Sequence, residues 1–227
     1  MRSSNQYATL IRQAVAIGVA VGAFALSFGV LAADAGLSLP QAVALSTLVF
    51  AGSAQLAAVG VAADGGTGAA AVVSGLLLNA RLVAFGVPLA RVLAGPLPRR
   101  LVASQLLIDE SSALALTQDD PRLARRAFWT GGLAVFVPWN LGTAAGWALT
   151  GAIDVEALGL DAVIPAAFVA LLAPRLRGAA DRAAAAAGAA IALALTPLTP
   201  AGVPIIAATL GAGAGWIALR RHAAERA

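Results

Sequence analysis

Asn79 and Arg81 lie in the middle of "GLLLNARLVAFGVPLARVL" (residues 75–93), a stretch otherwise apolar enough to sit in a bilayer. A charged side chain at that depth costs at least about 2.5–3.5 kcal/mol on insertion scales. Arg81 is also more than ten residues from either end of its apolar block, beyond easy snorkelling to the surface. The blocks before and after it repeat the pattern. "FAGSAQLAA" places Ser53 and Gln55 in mid-block, and "LLIDESSALAL" places Asp109 and Glu110 beside Ser104, Gln105, Ser111 and Ser112. A guanidinium and two carboxylates can form a static ion pair that fixes helix packing. They can also receive a solute carrying both charges, the arginine taking a carboxylate and an acid taking an ammonium or a proton. Ionisable clusters inside a membrane are functional by default. Ser53, Gln55, Asn79, Arg81, Asp109 and Glu110 are therefore the candidate substrate-binding residues.

Spacing limits how helices can present these groups. Residues two apart on an α-helix differ by about 200° in direction. Ser53 and Gln55 cannot share one face, and neither can Asn79 and Arg81. Either each helix is buried on both sides or it unwinds locally. Gly52 and Gly75 favour irregularity, and unwound segments near mid-membrane are a recurring way for transporters to bind charged groups. Asp109 and Glu110 are about 100° apart, so one can pair with Arg81 while the other faces the pathway. If their block is re-entrant, both lie nearer the membrane surface.

The elements that must hold these residues are membrane helices. The chain has 227 residues, 60% hydrophobic and 11% charged, where a soluble domain would carry roughly 25% charged residues; mean hydropathy is +0.86. A helix needs about 20 apolar residues to span the hydrocarbon core. Candidate spans are 14–33, 39–63, 68–94, 101–118, 127–150, 162–175, 183–197 and 202–219. The fold class is thus all-α: a polytopic integral membrane protein of about eight transmembrane helices, with seven as the alternative and with breaks or re-entrance expected among spans two to four. The first span is too long for a signal-peptide core and reads as an uncleaved helix. No soluble domain can be cut out, so residues 1–227 form a single transmembrane transporter domain.

Eight crossings with a cytoplasmic N-terminus put Arg2, Arg12, Arg122, Arg125, Arg126, Arg175, Arg177, Arg182, Arg220, Arg221 and Arg226 inside. Asp34 and the acidic loop Asp154, Glu156 and Asp161 fall outside, as the positive-inside rule requires. Arg91, Arg99 and Arg100 break the rule, which points to a re-entrant segment between 39 and 118. Trp129 and Trp147 stand about 27 Å apart along a helix, one near each interface as an aromatic belt requires. Trp139, midway between them, is expected to face protein. Small-residue pairs at Gly18/Gly22, Gly142/Gly146 and Gly211/Gly215 permit close helix contact.

Several chemistries have no machinery here. There is no cysteine, and the single histidine, His222, sits in the tail among Arg220, Arg221 and Arg226, so no thiolate or buried imidazole is available for catalysis or metal binding. No serine sits in a G-x-S-x-G context. "DGGTGAA" (64–70) lacks the lysine of a P-loop and the later aspartates of membrane phosphatidyltransferases, and reads as a turn. "DDPRLARR" (119–126) reads as a cytoplasmic loop whose Asp119 and Asp120 cap the next helix. Neither enzyme chemistry, nor a cofactor, nor a metal is expected. The arginines cluster at block ends, where topology determinants belong, and this argues against nucleic-acid binding.

"FAGSAQLAA" (50–58), "NARLVAFG" (79–86), "DESSAL" (109–114) and "WNLGTAAG" (139–146) occur in an order and spacing that resembles the AzlC family of bacterial branched-chain amino acid permeases. The resemblance covers about residues 10 to 220, and "FAGSAQ" is its most specific piece. It implies export of valine, leucine, isoleucine or similar apolar amino acids across the inner membrane by secondary transport. It also implies a small membrane subunit of the AzlD type as partner. By motif, Ser53 and Gln55 match the second-span signature, Asn79 and Arg81 the third, and Asp109 and Glu110 the fourth. The sequence departs where many members read N-x-R-H followed by Tyr-Gly, since Leu82 and Phe85 stand at those positions. That removes an obvious proton carrier and leaves Asp109 or Glu110 as the group able to take one.

The expected function is therefore a secondary transporter of apolar amino acids in the bacterial inner membrane, in contact with the lipid bilayer, with a homo-oligomer left open. A solute channel and a membrane-embedded lipid-modifying enzyme are the alternatives.

Overall fold

The computed structural model describes residues 2–152, 169, 172–173 and 176–224. Its described residues hold helices and no β-strand: α1 (Arg2–Asp34), α2 (Leu39–Val49), α3 (Gly52–Ala63), α4 (Gly68–Asn79), α5 (Arg81–Leu89), α6 (Leu97–Gln105), α7 (Asp109–Leu116), α8 (Pro121–Leu149), α9 (Ala179–Leu195), α10 (Val203–Ala208) and α11 (Gly211–Ala224). The all-α expectation holds. By length and composition, Gln6–Asp34 and Val203–Arg220 can each cross a bilayer, and α4 with α5 make a third if that bent pair is one span. Candidate span 162–175 and the acidic loop Asp154, Glu156 and Asp161 lie outside the described residues, apart from Val169, Leu172 and Ala173.

Spans two, three and four show breaks of the kind expected among them: none is a continuous helix. The second breaks between α2 and α3 at Phe50, whose φ of 39° is left-handed. The third bends by 41° at Ala80, between α4 and α5. The fourth breaks at 106–108, between α6 and α7. Breaks free backbone groups that lipid cannot satisfy, and nearby polar side chains meet that demand. Gln105 Nε2 donates to the carbonyls of Thr47 and Leu48, at 2.7 and 3.1 Å, closing the end of α2. Ser111 Oγ accepts from Ile108 N at 3.1 Å and lies 2.6 Å from Leu106 O as donor, closing the other break.

The chain divides into two compact units, Met1–Leu56 with Leu78–Asp154 and Ala57–Leu77 with Val155–Ala227. The first is built on α1 packed along α8. Glycines make that contact close: a side chain at Gly18 would meet the backbone of Ala134, at Gly22 the ring of Pro138, and at Gly146 the backbone of Leu26. Arg126 lies over the Tyr7 ring at one end, and Trp147 Nε1 donates to Leu37 O at the other. The two helices therefore run parallel. α2 starts beside Trp147 and descends along α8, bonding Ser46 to Thr143 and Thr47 to Asn140, until Phe50 reaches the Phe136 ring.

α6 and α7 form a hairpin on the same scaffold. Its entry lies at the start of α8, where Arg99 sits 5.8 Å from the Trp129 ring and Arg125 Nε donates to Val92 O at 2.8 Å. Its apex, Leu106, packs at Gly132, and its exit, Leu114, packs at Gly131 and Ala127. Entry and exit thus share one end, together with Arg122, Arg125 and Arg126. Asp120 caps α8 there by accepting from Arg122 N at 2.8 Å.

In the second unit, α9 packs on α10 and α11. Gly188 and Gly211 meet at backbone distance, and a side chain at Gly215 would press on Ala180 O, 2.9 Å away. Arg220 stacks on Trp216, 4.1 Å from the ring centroid. All three small-residue pairs noted in the sequence therefore mark helix contacts.

Candidate functional site

The site forms where the breaks of the first unit meet. Each break starts a new helix, and each new helix opens on polar residues: Gly52 and Ser53 for α3, Arg81 for α5, Asp109 and Glu110 for α7. A helix start projects unsatisfied N–H groups, so polar and charged side chains are at home there even deep in an apolar protein.

Arg81 is the hub. Its Nη2 donates to Ser53 Oγ at 2.8 Å, and its Nη1 is 3.3 Å from Asp109 Oδ2. Its side chain is 31% exposed and that of Asp109 17%, so the pair is not sealed in the core. Arg81 Nε is buried with no partner among the described residues. Asn79 closes α4 two residues earlier, and its Oδ1 is likewise buried and unpartnered. Glu110 forms no ion pair among the described residues. The structure thus brings Ser53, Arg81 and Asp109 into direct contact, sets Asn79 beside them along the chain, and leaves Glu110 on a different side of α7.

Gln55 does not join the hub. Gly52 lies against Trp139, whose Cη2 would be 2.9 Å from a Cβ at that position. Gln55 is one turn further along α3 and shares that side, about 200° from Ser53. It is fully buried, and neither its amide nitrogen nor its oxygen has a partner among the described residues. Both options posed by the spacing hold at once: α3 begins at a break, and it is polar on two sides.

Two further residues belong to this setting. Ser112, one turn after Asp109 and on its side of α7, is fully buried with Oγ unpartnered. Trp139, stacked on Phe28 at 5.9 Å and 3% exposed, has an unpartnered Nε1, and it faces protein as expected. Ser112 carried a sequence signal, its three-residue offset from Asp109. Trp139 carried one as well, a tryptophan in mid-span beside Asn140. Unpaired buried polar atoms cost about 1–3 kcal/mol each, and several of them are concentrated around these helix breaks. Guanidinium, carboxylates, amides and hydroxyls together suit a small solute carrying both an anionic and a cationic group.

The family model described as AzlC protein matches residues 16–153, more than half of the chain and every residue of this site. No curated protein and no solved structure matches the chain.

Proposed function

This chain belongs to the AzlC family, and we propose that it is a secondary transporter exporting branched-chain or other apolar amino acids across the bacterial inner membrane. Membership supports a membrane-transport role, in a family that is not one of enzymes. One observation carries the proposal: a guanidinium at a helix break, held by Ser53 and Asp109, with Nε still free to bond. Arg81 and Asn79 engage the substrate carboxylate. Asp109 or Glu110 faces the ammonium or the coupling proton. Ser53 and Gln55 complete the polar lining, and alanine, valine and leucine side chains receive the aliphatic group. A small AzlD-type membrane subunit is the partner.

The first unit supports a membrane topology of six crossings as part of this proposal. Parallel α1 and α8 begin on one face, and the α6–α7 hairpin enters and leaves by that same face. Between Leu37 and Val92 the chain therefore crosses once, by one of the two broken candidates. With the three later candidates this gives six crossings in place of eight. Arg91, Arg99 and Arg100 then join the cytoplasmic arginines, and the exception to the positive-inside rule disappears.

Leucine counterflow in proteoliposomes tests the assignment and separates a carrier from a channel, which shows no counterflow. Arg81→Ala and Arg81→Lys are each expected to lower it about 10- to 100-fold, from loss of a charged hydrogen bond of about 1.5–3 kcal/mol. Lysine keeps the charge but not the fork geometry. Unchanged counterflow in both variants, at normal protein levels, defeats the proposal.

A further inference from the structure

We propose that Glu110 carries the coupling proton of the transport cycle, while Asp109 stays committed to Arg81; this rests on the substrate site described above. The charge inventory leads to it. The site holds one guanidinium and two carboxylates, and the guanidinium is 3.3 Å from Asp109. Glu110, about 100° away around α7, has no cationic partner within ion-pair distance among the described residues. A zwitterionic amino acid adds no net charge, so the loaded and empty sites share the same excess of one negative charge. A carboxylate without an ion-pair partner inside a membrane protein is costly, although the start of α7 and Arg81 offset part of that cost. A proton taken up at Glu110 removes the excess charge.

The chemistry of the site favours a proton over a divalent metal ion. Calcium and magnesium take six or more oxygen ligands, and the described residues contain no group of three or more His, Cys, Asp or Glu able to hold one. A proton needs a single carboxylate oxygen. The sole histidine is in the tail, so no imidazole competes for the role. The charged groups acting on Glu110 are Asp109 beside it and Arg81 on α5. On the other helices packed against α7, Arg12 of α1 and Arg122, Arg125 and Arg126 of α8 belong to the arginine-bearing end, and Asp34 to the opposite one. Fully buried Ser112, with its unpartnered Oγ on the Asp109 side, shows that polar lining continues past the ion pair. The step balances simply. The Glu110 carboxylate takes a proton from hydronium on one face, giving the neutral acid and water, and returns it to water on the other.

The test uses the full chain in proteoliposomes with radiolabelled leucine, read two ways. A one-unit pH gradient is expected to drive wild-type accumulation up to about tenfold, the limit for one proton per solute. Glu110→Gln is expected to abolish that accumulation while counterflow, though lowered, stays above that of Arg81→Ala, and Glu110→Asp to retain both. Full pH-driven accumulation by Glu110→Gln overturns the proposal, as does accumulation driven by sodium alone. Loss of counterflow together with accumulation in a well-folded Glu110→Gln also overturns it, since Glu110 is then needed for binding. Absent leucine counterflow in the wild type sinks the substrate site itself, which is a distinguishable result.

Discussion

At the residue scale, side chains divide into those whose hydrogen bonds serve the backbone and those left with unpaired polar atoms. Gln105 is of the first kind. It closes two carbonyls at the end of α2, and Gln105→Ala is expected to lower stability by roughly 1–3 kcal/mol. Thermal unfolding in detergent checks this; Gln105→Glu, which lacks the amide donor, should be no better. Arg81, Gln55 and Asn79 are of the second kind, each with a buried polar atom that the described residues leave unpaired. The distinction was half legible in the sequence. Polar residues in mid-block identified Ser53, Arg81 and Asp109 because a membrane makes any such residue conspicuous. Gln105 and Ser111 looked like members of the same cluster, yet their hydrogen bonds go to backbone groups. Which backbone groups lack partners is not written in composition; it emerges when helices break.

At the element scale, the breaks organise the protein. Apolar block lengths located the helices, and Gly52 and Gly75 pointed to irregularity, but the break point itself, Phe50 in a left-handed conformation, carries no compositional warning. Ala80 carries none either. The hairpin of α6 and α7 was foreshadowed by three arginines on the wrong face, and the structure gives the reason by placing Arg99 and Val92 beside the start of α8. The chain contains no cysteine, so each introduced thiol reports alone. Ala94→Cys and Asp119→Cys are expected to label from the same side of the membrane, and Asp34→Cys from the other. Opposite labelling of positions 94 and 119 would restore a crossing fourth span. The α1–α8 seam makes a second prediction. Gly142→Leu puts a side chain against the backbone of Gly22, and overpacking of this kind costs typically about 1–3 kcal/mol. The expected readout is loss of thermal stability, with Gly60→Leu, where a Cβ meets nothing within 4 Å, as the tolerant control.

At the scale of the whole molecule, an all-α member of the AzlC family presents interrupted helices whose starts bring a guanidinium and an acid together within an otherwise apolar sequence. Scaffold and broken segments differ in character: α1 and α8 pack along each other, while the breaks bring the polar groups together. The decisive question is whether Arg81 reads a carboxylate. Equilibrium binding of radiolabelled leucine to the purified protein answers it most directly, with unlabelled leucine and leucinamide as competitors. Leucinamide keeps the ammonium and the side chain but lacks the anion. Competition by leucine and at least tenfold weaker competition by leucinamide is the predicted result; equal displacement by both would contradict a guanidinium that binds the substrate's carboxylate.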